Sequence, residues 1–285
     1  FTAPTRLNVT DIGEAKYVED IPKNRYRFVI EILVFSTIVF LGIMWVAPGP
    51  AFPLIMDDYG VSRTSVSWAN SIVSLIVATF AIPAGILASR IGLRKTFTIG
   101  TFLVPTAILI LFSSNITQLL AIRVLFALGA SMTFPIAGGL VMQWFKRKEL
   151  PIVNGLNISA ASTGNTIAMF LTVPLAVAFG WREAFAIYGA AAFVVALAWL
   201  IRGKQTATDN TELRAEVLPP SINLRTVFKQ RSTWLLGLGV AGPTMALIGL
   251  ISWLPTYYHE VFGMSLSRGS SITGLATLFA IPASI

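Results

Sequence analysis

The sequence predicts an all-α integral membrane protein, and three observations support this fold class. Hydrophobic residues make up 55% of the 285 residues, charged residues only 12%, and the mean hydropathy is +0.74. A soluble domain usually carries about 25% charged residues. The apolar residues fall into runs of roughly 16 to 28 residues, and a helix of ~20 apolar residues crosses the hydrocarbon layer. Membrane barrel strands would be ~10 residues long and alternate in polarity, which these runs do not.

Short polar joints separate the apolar runs, so consecutive helices are expected to be antiparallel. We call the predicted membrane crossings spans 1 to 8. Seven are predicted over their full length and the eighth starts near Ser270. The predicted ranges of spans 1 to 7 are 28–48 (or 28–55), 66–88, 97–112, 119–143, 152–179, 185–201 and 233–256.

Positive charge is concentrated on one side of this predicted bundle. Of the 21 Lys and Arg residues, 17 lie in 1–27, near 90–95 and 146–148, or between 202 and 231. Only Arg63, Arg182 and Arg268 lie on the other side. Because cytoplasmic loops are enriched in Lys and Arg, we predict a cytoplasmic N-terminus in a plasma (inner) membrane. The net charge of +8 therefore indicates a lipid bilayer as partner and no nucleic acid.

The chain divides into four segments. These are a cytoplasmic N-terminal segment 1–27, a six-helix N-terminal half 28–201, a cytoplasmic linker 202–232, and the start of a truncated C-terminal half 233–285. The stretch 58–86 resembles the stretch 260–285 once four residues are gapped, which indicates a repeat of six-helix halves. Chance similarity between apolar runs is the alternative. Because position 1 is Phe rather than Met, we expect the natural chain to begin upstream of Phe1; if the repeat is real, we also expect it to continue past Ile285.

The most specific motif joins spans 2 and 3. Small residues there would allow close helix packing and a tight turn, and the cations could pair with carboxylates and helix C-termini. The motif residues are Gly85, Ser89, Arg90, Gly92, Arg94 and Lys95. An ordinary basic cytoplasmic loop is the alternative interpretation.

This motif resembles the signature loop of the major facilitator superfamily: a Gly, an acid four residues later, then Arg-x-Gly-x-Arg-Arg/Lys. Ser89 stands where the family has Asp, so a latch that needs that carboxylate is in doubt. The resemblance implies the two-half fold of that family, a cytoplasmic gate, and alternating access to one central site. The segment Tyr59–Trp68 also resembles monocarboxylate-type porters of the same superfamily, although their cation in span 1 is absent.

Arg123 is the only basic residue predicted inside a span, about four residues from the end of span 4. A charge at that depth is costly and usually faces a cavity. Snorkelling to the interface is one alternative, and a structural ion pair with Asp57 or Asp58 is another. Many members of the superfamily carry an Arg here, and the resemblance implies a role in substrate binding or proton coupling.

Five further residues are predicted to line a substrate cavity near mid-membrane or in its outer half. They are Thr133, Asn165, Thr244, Trp45 and Trp253. Local hydrogen bonding explains the polar residues equally well, and an aromatic belt at the interface explains the tryptophans. Glu31, at the start of span 1, is interpreted as stabilised by the helix dipole.

The sequence favours a carrier over an enzyme. It has no cysteine, one histidine, no nucleotide-binding loop and no paired carboxylates at membrane depth, so no cofactor and no metal site are predicted. We predict a secondary active transporter of a small solute, with a weak preference for a small organic anion and coupling to an ion such as H⁺. A drug or metabolite efflux carrier is the alternative, followed by a channel-like or non-transporting membrane protein.

Overall fold

The computed structural model describes residues 25–146, 148–204 and 229–283. Most of the predicted N-terminal segment and linker therefore lies outside the described residues. The described chain is helical, with eight spans in the predicted order. Their bounds are Tyr26–Val46 and Pro48–Tyr59 (span 1), Arg63–Ile91 (span 2), Leu93–Leu103 with a 3₁₀ segment Val104–Phe112 (span 3), Ile116–Met142 (span 4), Leu150–Phe179 (span 5), Trp181–Arg202 (span 6), Arg231–Phe262 (span 7) and Leu266–Ala283 (span 8).

The predicted fold class is confirmed. Seven helical stretches in the described residues, spans 1 to 7, are long and apolar enough to cross a membrane. Several predicted ends were too short. Span 6 begins at Trp181 rather than residue 185, and span 7 runs to Phe262 rather than residue 256. Polar and amphipathic residues continue the helix at those ends, where hydropathy alone indicates a loop.

Span 1 extends further than predicted because its prolines do not end it. Ala47 has helical backbone angles, and the helix continues from Pro48 to Tyr59. Proline is tolerated at the first position of a helix, because the N–H that it lacks would have no partner within that helix. The result is one crossing of 34 residues, Tyr26–Tyr59, with a break in its hydrogen-bond ladder.

Spans 1 and 5 cross at two glycines. A Cβ at Gly164 would lie 2.1 Å from the Val39 carbonyl oxygen, and one at Gly42 would lie 2.6 Å from the Ala161 carbonyl oxygen. No side chain fits at either position without moving the backbone of the other helix. Small residues at such crossings let two helix backbones come into contact within a membrane.

The spans alternate in direction, so their ends form two faces. We call the end that carries Arg90, Arg94 and Lys95 the basic face, and the end that carries Arg63 and Arg182 the opposite face. Spans 7 and 8 pack on the first six spans mainly toward the opposite face. Ser252 and Thr256 of span 7 are buried, whereas its described side chains between 231 and 250 are mostly exposed.

The two stretches that resemble each other in sequence adopt the same turn. Gly60 ends span 1 with φ of +62°, and Gly263 ends span 7 with φ of +64°. The helix that follows contains a proline in each case, Pro83 in span 2 and Pro282 in span 8. A repeat of six-helix halves would produce such an equivalence.

Candidate functional site

Arg123 lies at the centre of a buried polar cluster. It is seven residues inside span 4, about 10 Å from the helix end at 1.5 Å per residue, and its exposed fraction is 2%. Its Nε donates to the Ala69 carbonyl at 2.8 Å, and its two terminal nitrogens donate to the carbonyls of Met44 and Trp45. One of them also donates to Asn70 Oδ1 at 3.3 Å. Burial this complete excludes the snorkelling alternative.

The break in span 1 explains why the Met44 carbonyl accepts a hydrogen bond from Arg123. In a regular helix the Met44 carbonyl would accept from the N–H of residue 48. Residue 48 is proline, which has no N–H, so the Met44 oxygen lacks its helical donor. The Arg123 guanidinium replaces that donor and thereby joins spans 1, 2 and 4 at one depth.

No Asp or Glu within the described ranges forms an ion pair with Arg123. The Asp58 carboxylate instead pairs with Arg182 at 2.7 Å on the opposite face. Arg182 also donates to the Ser113 carbonyl at 2.9 Å, which ties the ends of spans 1, 3 and 6 together. Among the described residues, the partners of the Arg123 charge are therefore carbonyl and amide dipoles and the Phe126 ring at 4.9 Å.

The Arg123 cluster extends to span 7 through Asn70. The Asn70 amide donates to Ser252 Oγ at 2.9 Å, and Ser252 in turn donates to the Ile248 carbonyl. The backbones of spans 1 and 7 are close at this point, since a Cβ at Gly49 of span 1 would lie 2.8 Å from the Ser252 Cα of span 7.

Two further contacts close the opposite face around this point. Arg63 of span 2 forms a 2.7 Å ion pair with Glu260 of span 7. The Phe52 ring of span 1 packs against Trp253 with ring centroids 5.0 Å apart. Spans 1 and 2 are thus joined to span 7 by an ion pair, a buried hydrogen bond and an aromatic contact.

The motif between spans 2 and 3 lies on the basic face. Gly92 has φ of +95°, a conformation that residues with side chains rarely adopt. Ser89 donates to the Ile86 carbonyl at 2.7 Å, and a Cβ at Gly85 would meet no described atom within 4 Å. None of the three motif cations, Arg90, Arg94 and Lys95, forms an ion pair with another residue that the structure describes. The gate function of the motif remains a prediction.

The polar residues predicted to line a cavity occupy different environments. Thr133 is fully buried, donates to the Gly129 carbonyl, and packs against Gly100 of span 3. Asn165 is half-buried beside Gly42 at the crossing of spans 1 and 5. Thr244 lies on the exposed part of span 7. The structure does not bring these three together with Arg123.

The two predicted tryptophans lie nearer to Arg123. The Trp45 carbonyl accepts from Arg123 at 3.2 Å, while its indole Nε1 is buried without a hydrogen-bond partner among the described residues. Trp253 lines an open cleft of about 500 Å³ on the opposite face together with Arg63 and Trp68. Sequence reasoning missed Asn70 and Ser252, because an isolated Asn or Ser in an apolar run gives no signal of its partner.

The fold and this cluster define the class of protein: a helical, multi-pass membrane protein with a buried cation between its spans. The family model described as Major Facilitator Superfamily matches residues 34–285. The chain belongs to that superfamily of membrane transporters.

Curated relatives agree with this membership. An uncharacterized protein of Campylobacter jejuni is 27% identical over 84% of this chain and 73% of its own length. The hexuronate transporter of Bacillus subtilis is 25% identical over 78% of this chain and 54% of its own length. The 4-hydroxybenzoate transporter of Pseudomonas aeruginosa is 25% identical over 96% of this chain and 68% of its own length. The chain thus spans about half to three quarters of these relatives.

Proposed function

We propose that the protein is a secondary active transporter that moves a small organic anion by alternating access. The observation that carries this proposal is the Arg123 cluster, which joins an unpaired buried cation to the contacts that close the opposite face. The proposal is further supported by the names of two relatives, which describe transporters of hexuronate and of 4-hydroxybenzoate, both organic anions.

Alternating access requires a carrier to open toward one side while it is closed toward the other. The described conformer is closed on the opposite face by the Arg63–Glu260 pair and by the Asn70–Ser252 hydrogen bond. With the basic face cytoplasmic, as the positive-inside rule predicts, this conformer is closed toward the outside.

The preference for an anion rests on the charge of Arg123. Arginine keeps its charge in proteins, and a buried charge needs a partner. Carbonyl dipoles serve as partners in the described state, but hydrogen bonds from arginine to a carboxylate are stronger and can be bidentate. When spans 1 and 2 separate from span 7, a substrate carboxylate would replace some of these carbonyls. We further propose that coupling to an ion such as H⁺ drives accumulation.

The test is counterflow of labelled organic anions, including hexuronates and aromatic carboxylates, into liposomes that contain the purified protein. We compare Arg123→Gln, Arg123→Lys and the Asp57→Asn/Asp58→Asn double variant. We expect Arg123→Gln to weaken anion affinity by about 10-fold or more, which corresponds to about 1.4 kcal/mol. Arg123→Lys should have an intermediate anion affinity, since lysine keeps the positive charge but cannot donate two parallel hydrogen bonds to a carboxylate.

The aspartate double variant is the matched control, because Asp58 pairs with Arg182 and not with Arg123. It should leave anion affinity intact. Equal loss in the control and in Arg123→Gln, or unchanged affinity in Arg123→Gln, would refute an anion site at Arg123. Flux that does not saturate and shows no counterflow would refute a carrier in favour of a channel.

A further inference from the structure

A second buried polar cluster lies away from Arg123, between spans 1 and 5 near the basic face. Glu31 is five residues inside span 1, about 8 Å from its end, and the exposed fractions of Glu31 and Asn157 are each 8%. Glu31 lies eight residues before Val39 and Asn157 lies seven residues before Gly164, so the two are at corresponding depths of the helices that meet at Val39 and Gly164. All four polar side-chain atoms are hidden from solvent and complete no hydrogen bond to another described residue.

The surroundings of this pair are apolar. Val34 follows Glu31 by one helical turn, and Val153 and Ala160 flank Asn157 on span 5. All three are buried and belong to one hydrophobic cluster. An ionised carboxylate without partners is strongly disfavoured in such an environment. The helix dipole alone, which acts on the first turn of a helix, does not account for a carboxylate that is buried beyond it.

The neighbouring charged groups do not neutralise Glu31. Arg27, one turn earlier on span 1, donates to both carboxylate oxygens of Glu149, at 3.0 and 2.9 Å. No ion pair in the described parts of the chain involves Glu31. The other charged residues at the basic-face ends of the adjoining spans 3, 4 and 6 are Arg94, Lys95, Lys146, Arg202 and Lys204.

We propose that Glu31 is a proton-binding site of the transport cycle, with Asn157 as its hydrogen-bond partner. A protonated carboxyl group has one donor and an acceptor oxygen, and so does the amide, which has N–H donors and a carbonyl oxygen. The acid can therefore donate to Asn157 Oδ1 and accept from Asn157 Nδ2. This reciprocal pair would satisfy the polar groups that have no partner in the described state.

The proton step is a simple transfer. A hydronium ion at the basic face transfers its proton to the Glu31 carboxylate and leaves a water molecule, and the new O–H bond breaks when the proton returns to a water molecule. No oxidant, reductant or second reactant is required. This inference rests on the proposed transport function only for its place in the cycle, and proton binding itself can be measured without transport.

The first test is infrared spectroscopy of the purified protein as the pH is varied. The C=O stretching band of a buried protonated carboxyl group should be present in the natural protein and absent in Glu31→Gln. Asn157→Ala should change the band frequency because the acid loses its partner. Glu149→Gln is the matched control, because Glu149 is paired with Arg27, and should leave the band unchanged. A band that persists in Glu31→Gln overturns the proposal.

The second test separates coupling from transport. In liposomes, Glu31→Gln should retain anion counterflow but lose accumulation driven by a pH gradient, whereas Glu149→Gln retains both. Accumulation that follows a Na⁺ gradient at equal pH, or that survives in Glu31→Gln, overturns the proposal. If no anion is transported by any form but the infrared band titrates and depends on Glu31, the transport proposal fails while the proton site stands.

Discussion

The side-chain amide of Asn70 donates a 2.9 Å hydrogen bond to Ser252, although the two residues are 182 positions apart in the chain. The carbonyl oxygen of the same amide accepts from Arg123. One side chain thus joins the buried cation of span 4 to span 7, which moves in the proposed transport cycle when the opposite face opens. A ligand shifts a conformational equilibrium only if it binds one state better than the other. A ligand that takes the place of the Arg123 partners would do so, because those partners are part of the contacts that close the opposite face.

A covalent link across the opposite face should stop transport. The chain has no cysteine, so Arg63→Cys/Glu260→Cys provides the only reactive pair. The natural side chains form a 2.7 Å ion pair, and we expect a short bifunctional thiol reagent to join the two cysteines and abolish counterflow. Cleavage of a reducible linker should restore it.

The Asp58→Cys/Arg182→Cys pair is the control for this cross-link. The natural carboxylate of Asp58 and guanidinium of Arg182 also form a 2.7 Å ion pair, but both residues belong to the first six spans. Linking them should leave counterflow largely intact. If the Arg63/Glu260 cross-link forms and exchange continues at the natural rate, the opposite face does not open during transport.

The link between Arg123 and the break in span 1 gives a rescue prediction. Arg123→Gln removes the donor to the Met44 carbonyl and should lower the apparent melting temperature in detergent, with a loss of about 1.5–3 kcal/mol for bonds from a charged group. Adding Pro48→Ala supplies an N–H opposite that carbonyl and should recover part of the stability. Anion affinity should stay low. A double variant no more stable than Arg123→Gln would contradict this explanation.

The spans themselves could be predicted from hydropathy, because the requirement to cross a membrane acts on composition. The exact ends of the spans could not be predicted from hydropathy. Trp181 and Arg182 begin span 6 because the buried indole packs against the Tyr59 ring and the guanidinium group pairs with Asp58, and hydropathy does not reveal these contacts. Span 1 continues past Pro48 because proline, which usually ends a helix, is also favoured at the first position of a new helical stretch.

The site was only partly predictable. Arg123 was identified because a charge in an apolar run is unusual, but its partners are backbone carbonyls, which leave no trace in the residue pattern. Glu31 was interpreted as a helix-start residue because Asn157 is 126 positions away in the chain. Only the packing of spans 1 and 5 brings the two side chains together.

The crossing of spans 1 and 5 should not tolerate a methyl group. Gly164→Ala would place a Cβ 2.1 Å from the Val39 carbonyl oxygen, so the helices must move apart. We expect a loss of about 1–3 kcal/mol, seen as a lower apparent melting temperature or poor recovery of folded protein. Gly138→Ala in span 4, whose Cβ would meet no described atom within 4 Å, should be neutral. Equal stability of the two variants would refute the close contact.

The orientation can be tested with single cysteines in the protein, which otherwise lacks them. Lys204→Cys lies at the basic-face end of span 6, and Thr64→Cys lies at the opposite-face end of span 2. From the distribution of Lys and Arg we expect an impermeant thiol reagent to label residue 64 from outside intact cells. Residue 204 should react only after the membrane is opened. Labelling of residue 204 from outside would contradict the predicted topology.

The central claim, alternating access controlled by an anion, is tested most directly by distances measured between pairs of spin labels in liposomes. One protein carries labels at Thr64 and Val261, which are exposed on the opposite face, and another carries them at Lys148 and Arg231, which are exposed on the basic face. On addition of a transported anion, we expect the first distance distribution to shift to longer values while the second shifts to shorter ones, with both shifts lost in Arg123→Gln. Distances that stay unchanged with anion, or that lengthen on both faces together, would contradict the account.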